Sequence, residues 1–187
     1  EMPLAYTIQF TAHEIFHIWN GRILSQKSPY EVWFKEGFTQ YYGYITPYRA
    51  GLYGKEQFIY YLKDDYQNYI QNYEVSGDIA LARVNEGTAR QEGYNQAESI
   101  SNFIMYRKGA LVASLVNEEI KKATNGEKNI DDLIRQMLVE YRDKAYSSDD
   151  VLKSLNTITG KDFTKFFSDF IYGRTKLPLA KELSQND

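Results

Sequence analysis

The chain contains only two histidines, and both lie in one five-residue stretch, His13-Glu14-Ile15-Phe16-His17. On a helix, residues four apart stack on one face because the backbone repeats every 3.6 residues, so both imidazoles can close on one cation. Glu14, one position after the first histidine, points about a quarter turn away, where it reaches a water beside the cation more easily than the cation itself. That pattern belongs to zinc hydrolases. Keeping one zinc position open for water calls for a third protein ligand, and Glu36 follows His17 with eighteen residues between them, inside Trp33-Phe34-Lys35-Glu36-Gly37-Phe38. The competing reading is a pair of core histidines satisfied by backbone carbonyls. It leaves unexplained why the only two histidines, a neighbouring glutamate and a downstream glutamate all fall into metal-site spacing.

HEIFH, eighteen residues and then the glutamate of WFKEGF resemble the gluzincin metallopeptidases, in which HExxH and a downstream glutamate bind zinc. The spacing is similar to that of aminopeptidase N and its relatives. The flanking residues Phe16-His17-Ile18-Trp19-Asn20 and Glu36-Gly37-Phe38-Thr39-Gln40-Tyr41-Tyr42 look more like the glycyl aminopeptidases, which usually carry a longer insert between ligands, so the subfamily stays open. A second matching piece is Met105-Tyr106-Arg107-Lys108-Gly109-Ala110-Leu111. In the aminopeptidase N group a Tyr-x-Lys-Gly segment supplies the tyrosine that donates to the oxyanion, and Tyr106 is its match. A phenol suits that task, because it stays protonated at neutral pH and can aim a donor at developing negative charge.

The resemblance implies a mainly α fold, the helical bundle lobe of a thermolysin-like (gluzincin) catalytic domain, with the N-terminal β-rich subdomain missing. Residues 1–187 are accordingly expected to be the helical C-terminal part of such a domain, cut from a longer protein. In the superfamily the β-rich subdomain holds the substrate backbone, so exopeptidase and endopeptidase action are not separable on these residues. The expected activity is zinc-dependent hydrolysis of peptide bonds in a peptide or protein substrate, of the aminopeptidase type. His13, His17 and Glu36 would hold Zn2+, Glu14 would be the general base and Tyr106 the oxyanion donor. The alternative is a non-catalytic, zinc-stabilised helical module that binds peptides or partner proteins. Structural zinc sites close all four positions, often with cysteine, and the chain has none; such a site would also have no use for Glu14.

Bulk properties agree with a packed helical unit. At 187 residues, with 43% hydrophobic and 25% charged residues, the chain can bury a sizeable core. Its net charge is −3, with lysines and arginines dispersed among acids, which speaks against a nucleic-acid surface. Without cysteine there are no disulfides or thiolate ligands. No apolar run is long enough for a transmembrane segment.

Periodicity and punctuation predict helices over residues 5–20, 30–45 and 55–73, with Gly21 ending the first and a loop around Pro47, Gly51 and Gly54. Residues 74–101 read as a long irregular connection with a helical turn near 78–84. A helix capped by Asn102 should run to Thr124 and carry Tyr106 in its first turn. Three more are expected over 130–142, 148–158 and 163–172, closed by Gly160 and Gly173 where they end, and forming a short-linked bundle with the preceding helix. Tyrosines are dense from Tyr41 to Tyr73, and packing explains them as well as a cleft lining does. Arg174 and Lys176 read as solvated charges near a helix end.

Overall fold

The computed structural model describes residues 4–84, 103–178 and 183, and of residues 75, 76, 103 and 104 the backbone only. Among these residues there are seven α-helices and no strand. They are α1 (Leu4–Phe16), α2 (Thr39–Arg49), α3 (Lys55–Ser76), α4 (Gly109–Ala123), α5 (Ile130–Tyr141), α6 (Ser148–Thr159) and α7 (Thr164–Phe170). The mainly α class is thus what the chain adopts. No described helix is long and apolar enough to cross a membrane.

The core forms around α4, whose nine residues from Gly109 to Asn117 are all buried. A helix apolar on every side belongs in the middle of a bundle. In one core cluster with it lie Trp33, Phe34 and Phe38 from residues 33–38, Tyr41 from α2, Leu62 from α3 and Phe167 from α7. Fully burying an aliphatic or aromatic side chain of this size contributes about 1.5–3 kcal/mol, so the core is heavily weighted towards the segment carrying Glu36.

Several boundaries depart from the sequence reading. The first helix ends at Phe16 rather than near residue 20, and the chain continues in turns through Gly21, whose φ is +148°. Residues 30–45 do not form one helix. Ser28 caps a short 3-10 turn, Pro29–Glu31, and a π-helical stretch, Trp33–Phe38, then leads into α2. α2 passes through Pro47, where a loop was expected. Proline lacks the N–H that would bond the Gly43 carbonyl, and the hydroxyl of Tyr53 donates to the carbonyls of Gly43 and Tyr44 instead. A short 3-10 turn, Leu81–Arg83, falls within the predicted turn at 78–84. Tyr106 lies in a second π-helical stretch, Phe103–Lys108, rather than in the first turn of α4. Residues 85–102, with the expected Asn102 cap, lie outside the described residues.

α5 and α6 start where the sequence reading places them, and α7 starts at Thr164, behind Phe163, whose side chain makes no cap. Asn129 with Asp132 and Ser147 with Asp150 form reciprocal capping boxes at α5 and α6, and Gly160 closes α6 in the left-handed conformation at φ +65°. The last helix is shorter than expected, ending at Phe170.

Candidate metal centre and cleft

His13 and His17 project from the end of α1 and the turn after it, and Glu36 from the first π-helical stretch. Gly43 lets α1 lie close on α2, since a Cβ there would stand 3.0 Å from the Gln9 side chain and 3.2 Å from His13 Cβ. Phe16 stacks on Tyr42, with ring centroids 3.9 Å apart. This packing holds the histidine face of α1 over the start of α2. His13 Nε2 and His17 Nε2 are 3.1 Å apart, and Glu36 Oε2 stands 3.6 Å and 3.3 Å from them. Ligand atoms of all three residues lie within 4.8 Å of one another, the one such cluster of histidines and acids among the described residues.

The donor set suits a cation. His17 Nδ1 donates to the Asn20 carbonyl at 2.9 Å, and since a carbonyl can only accept, the Nε2 proton is the one a cation would displace, leaving the Nε2 lone pair for the centre. Glu36 Oε1 pairs with Lys35 Nζ at 3.0 Å, which leaves Oε2 for the histidines. Burial alone would raise the Glu36 pKa, but hydrogen bonds from His13 and His17 and the Lys35 charge outweigh it and hold the carboxyl below the usual carboxylate range. For His17, burial pulls the pKa down, while the hydrogen bonds to Glu36 and Asn20 and the Glu36 charge bring it above its ordinary value. Two imidazole nitrogens and a carboxylate oxygen facing one another are the ligand types of a zinc site with room for further ligands.

The second π-helical stretch crosses the first at a glycine pair. A Cβ on Gly37 would meet Gly109 Cα at 2.4 Å, and one on Gly109 would meet Gly37 Cα at 2.7 Å. Backbone lies on backbone here, and only glycine permits it. The crossing brings Tyr106 beside the centre, its ring centroid 5.8 Å from that of His13. π-helical turns widen a helix locally and occur often at functional sites; here one carries Glu36 and the other Tyr106.

Glu14, His13 and Tyr106 share the wall of a cleft of about 1020 Å³ between α1 and α3. Glu14 is exposed to it, and Tyr106 half-buried. Away from the histidines the floor holds a chain of polar contacts. Gln40 donates to the Tyr44 hydroxyl at 2.7 Å, Tyr44 donates to Asp65 at 2.9 Å, and Arg107 reaches Asp64 at 2.6 Å and Asp65 at 3.3 Å. Burial pushes the Asp65 carboxyl up to about 7 against the Arg107 charge and the Tyr44 hydrogen bond, which pull it down. The next residue, Lys108, is fully buried and bonds Asp78 Oδ1 and the Ile79 carbonyl, both at 2.7 Å. Tyr106 is therefore followed by two cations that are each tied to acids of other segments.

Sequence reasoning missed Asn20, Lys35, the Gly37 and Gly109 crossing and the Asp65 network. Lys35 adjoins Glu36, Asn20 stands three residues beyond His17, and both glycines lie within motifs already singled out; that proximity was the available signal. Tyr44, Tyr60 and Tyr61 line the cleft, whereas Tyr41 and Tyr69 are core residues. Arg174 and Lys176 are exposed and absent from the cleft wall, with Lys176 lying over the Tyr73 ring.

A helical lobe wrapped round two histidines at the end of one helix and a glutamate of the next segment is the class of architecture to which comparison with known proteins also leads. The peptidase family M1 domain matches residues 4–170, and the chain belongs to that family. Its fold is similar to that of the aminopeptidase N family protein of Idiomarina loihiensis, with a TM-score of 0.80 and 20% identity over 98% of this chain and 34% of that one. It is also similar to a mutant M1 zinc metallopeptidase of Deinococcus radiodurans bound to a Tyr-Ser-Ala substrate, with a TM-score of 0.65 and 17% identity over 97% of this chain and 37% of the other. The chain spans about a third of the length of these neighbours. No curated protein matches it.

Proposed function

We propose that this chain carries the zinc centre of an M1 peptidase that hydrolyses peptide bonds in the manner of an aminopeptidase. The observation that carries the reading is the convergence of His13, His17 and Glu36 within 4.8 Å, on a cleft whose wall also contains Glu14 and Tyr106. His13, His17 and Glu36 would hold the ion. When bound, zinc supplies Lewis acidity and lowers the pKa of a water towards neutrality. Glu14, exposed to the cleft, takes the proton of the attacking water and passes it to the leaving amine. The Tyr106 phenol donates to the oxygen on which negative charge develops. Lys35 and the Asn20 carbonyl keep Glu36 Oε2 and His17 Nε2 turned inward. Support for a peptide substrate comes from membership of the family, and for zinc from the donor types themselves.

The test is zinc content by elemental mass spectrometry, together with release of amino acids from unblocked peptides. Wild-type protein should hold one zinc per chain and cleave. Glu14→Gln should keep the metal and lose turnover by at least a hundredfold, the usual scale of a general base. Tyr106→Phe should keep the metal and lose turnover by about the same factor, as for one oxyanion donor. A metal-free wild type, or a Glu14→Gln variant with undiminished turnover, would reject the assignment.

A further inference from the structure

We infer that Asn20 is a positioning residue for the metal centre, orienting His17 through its backbone carbonyl and fixing the chain that leads into Glu36 through its side-chain amide. The inference rests on the zinc assignment above. Asn20 lies past the end of α1 and has no exposed surface. Its two ends serve two different ligands. The carbonyl accepts from His17 Nδ1 at 2.9 Å and so selects the tautomer that presents Nε2 to the centre. The amide nitrogen donates to the carbonyls of Phe34 at 2.9 Å and Lys35 at 3.1 Å, with Thr39 Oγ1 at 3.3 Å.

Phe34 and Lys35 immediately precede Glu36 in the π-helical stretch, so the amide holds the backbone from which the third ligand projects. Two backbone carbonyls demand a donor, which fixes Nδ2 rather than Oδ1 on that side. Oδ1 is buried without a hydrogen-bond partner. The amide thus makes its contacts only towards the segment of Glu36 and Thr39. The following residue keeps the same region clear, since a Cβ on Gly21 would stand 3.2 Å from His17 Nδ1. Beyond the packing of α1 on α2 and the loop that joins them, Asn20 ties the backbone beside His17 directly to the backbone beside Glu36. With it, one buried residue sets the relative placement of both, and partners that orient metal ligands typically contribute tenfold to hundredfold in metal affinity.

Asn117 provides the comparison that separates positioning from ordinary packing. It is equally buried and also joins two segments, donating to the Tyr41 hydroxyl at 3.1 Å and accepting from the Ile130 N–H at 3.1 Å. It bonds neither candidate ligand. Asn20→Asp keeps the shape and the backbone carbonyl but turns an acceptor oxygen on the Phe34 and Lys35 carbonyls; Asn117→Asp imposes a comparable burial penalty elsewhere.

The experiment measures zinc affinity by competition with a chromophoric chelator, the visible spectrum of the cobalt-loaded protein, and urea unfolding of the metal-free protein, for wild type and both variants. Asn20→Asp should bind zinc tenfold to hundredfold more weakly and change the cobalt bands. Asn117→Asp should lose stability while its zinc affinity and cobalt spectrum stay those of wild type. Wild-type affinity and spectrum in Asn20→Asp would overturn the inference, as would equal losses of affinity in both variants. Should Asn20→Asp not fold, Thr39→Val removes one acceptor of the amide while leaving Asn20 in place. It should weaken zinc several-fold, and unchanged affinity would overturn the inference. A wild-type protein that takes up no zinc is a different result: it removes the zinc assignment itself, and this inference with it.

Discussion

At α5 and α6 the helix starts are written in adjacent residues, Asn129 with Asp132 and Ser147 with Asp150, each side chain bonding the backbone of the other's position. At α2 and α4 no side chain caps the start; the chain enters each helix from a π-helical stretch already in helical conformation. The carboxyl-terminal bundle is thus specified locally, while the segments that carry the candidate site are held by distant partners: a glycine crossing, a buried lysine and a buried asparagine. A region specified by long-range contacts should lose more when one contact is removed than a region specified by caps.

The sharpest test of that difference is the buried pair of Lys108 and Asp78, whose side chains are 0% and 3% exposed. Asp78→Ala leaves the Lys108 ammonium buried against the Ile79 carbonyl without its carboxylate partner, and removes the acceptor of the Tyr69 hydroxyl. Breaking such a pair by deleting one partner costs about 3–5 kcal/mol. Urea unfolding should show a loss of that size. A loss under about 1 kcal/mol would mean that the segment of Tyr106 is held by its own helix after all.

The glycines give the next contrast. Gly37→Ala places a methyl 2.4 Å from the Gly109 backbone, where no flexible side chain can yield, and should cost about 3 kcal/mol and displace Glu36 from Tyr106. Gly160→Ala meets no atom within 4 Å and costs only the strain of its positive φ, about 1–2 kcal/mol. Equal losses in the two variants would erase the distinction between a crossing and a cap.

The same contrast governs what could be read from the sequence. Caps and glycine stops act within a few residues, so α5 and α6 fall within one residue of their predicted bounds. The pairing of His13 and His17 was legible because helical periodicity is also local. What was not legible arises between segments far apart in the chain. Residues 33–38 have the apolar spacing of an ordinary helix, and nothing in them announces a π-helical turn laid against another one near residue 105. The buried state of Lys108 is likewise unreadable in sequence, since lysine is rarely buried unless an acid reaches it, and that acid lies thirty residues away. Glu36 was found by spacing from His17, whereas the Asn20 amide that holds its backbone bonds carbonyls, which have no sequence signature.

The two regions should also answer pH with opposite signs. In the folded chain Asp65 titrates at about 7, raised from its ordinary 3.8 by burial. Between those values the folded state keeps a proton that the unfolded chain has lost, so this contribution is fully present below the unfolded pKa and is lost as pH rises through about 7. The slope is at most about 1.4 kcal/mol per pH unit. Asp150 behaves in reverse. Burial tends to raise its pKa, but hydrogen bonds from Ser147 and Tyr141 lower it, so its contribution is present above the unfolded pKa and is lost as pH falls through the folded one. Asp65→Asn should flatten the decline in the urea midpoint between about pH 4 and about pH 7 and leave the acid limb unchanged. Parallel curves for variant and wild type would show that Arg107 keeps Asp65 ionised throughout.

The smallest effect belongs to the caps. The Ser147 hydroxyl donates to Asp150 Oδ2 at 2.8 Å, and Ser147 Oγ accepts from the Asp150 N–H at 3.3 Å, with the Ser147 N–H returning to the same carboxylate at 2.9 Å. Ser147→Ala removes the hydroxyl contacts and keeps the backbone one, and capping serines are worth about 1 kcal/mol. Because α6 packs chiefly against α5 and α4 and bonds no candidate ligand, this loss should appear in the urea midpoint with zinc affinity unaltered. A change in zinc affinity on Ser147→Ala would show the bundle and the metal centre to be one cooperative structure, and would narrow the difference between the two regions to their means of assembly.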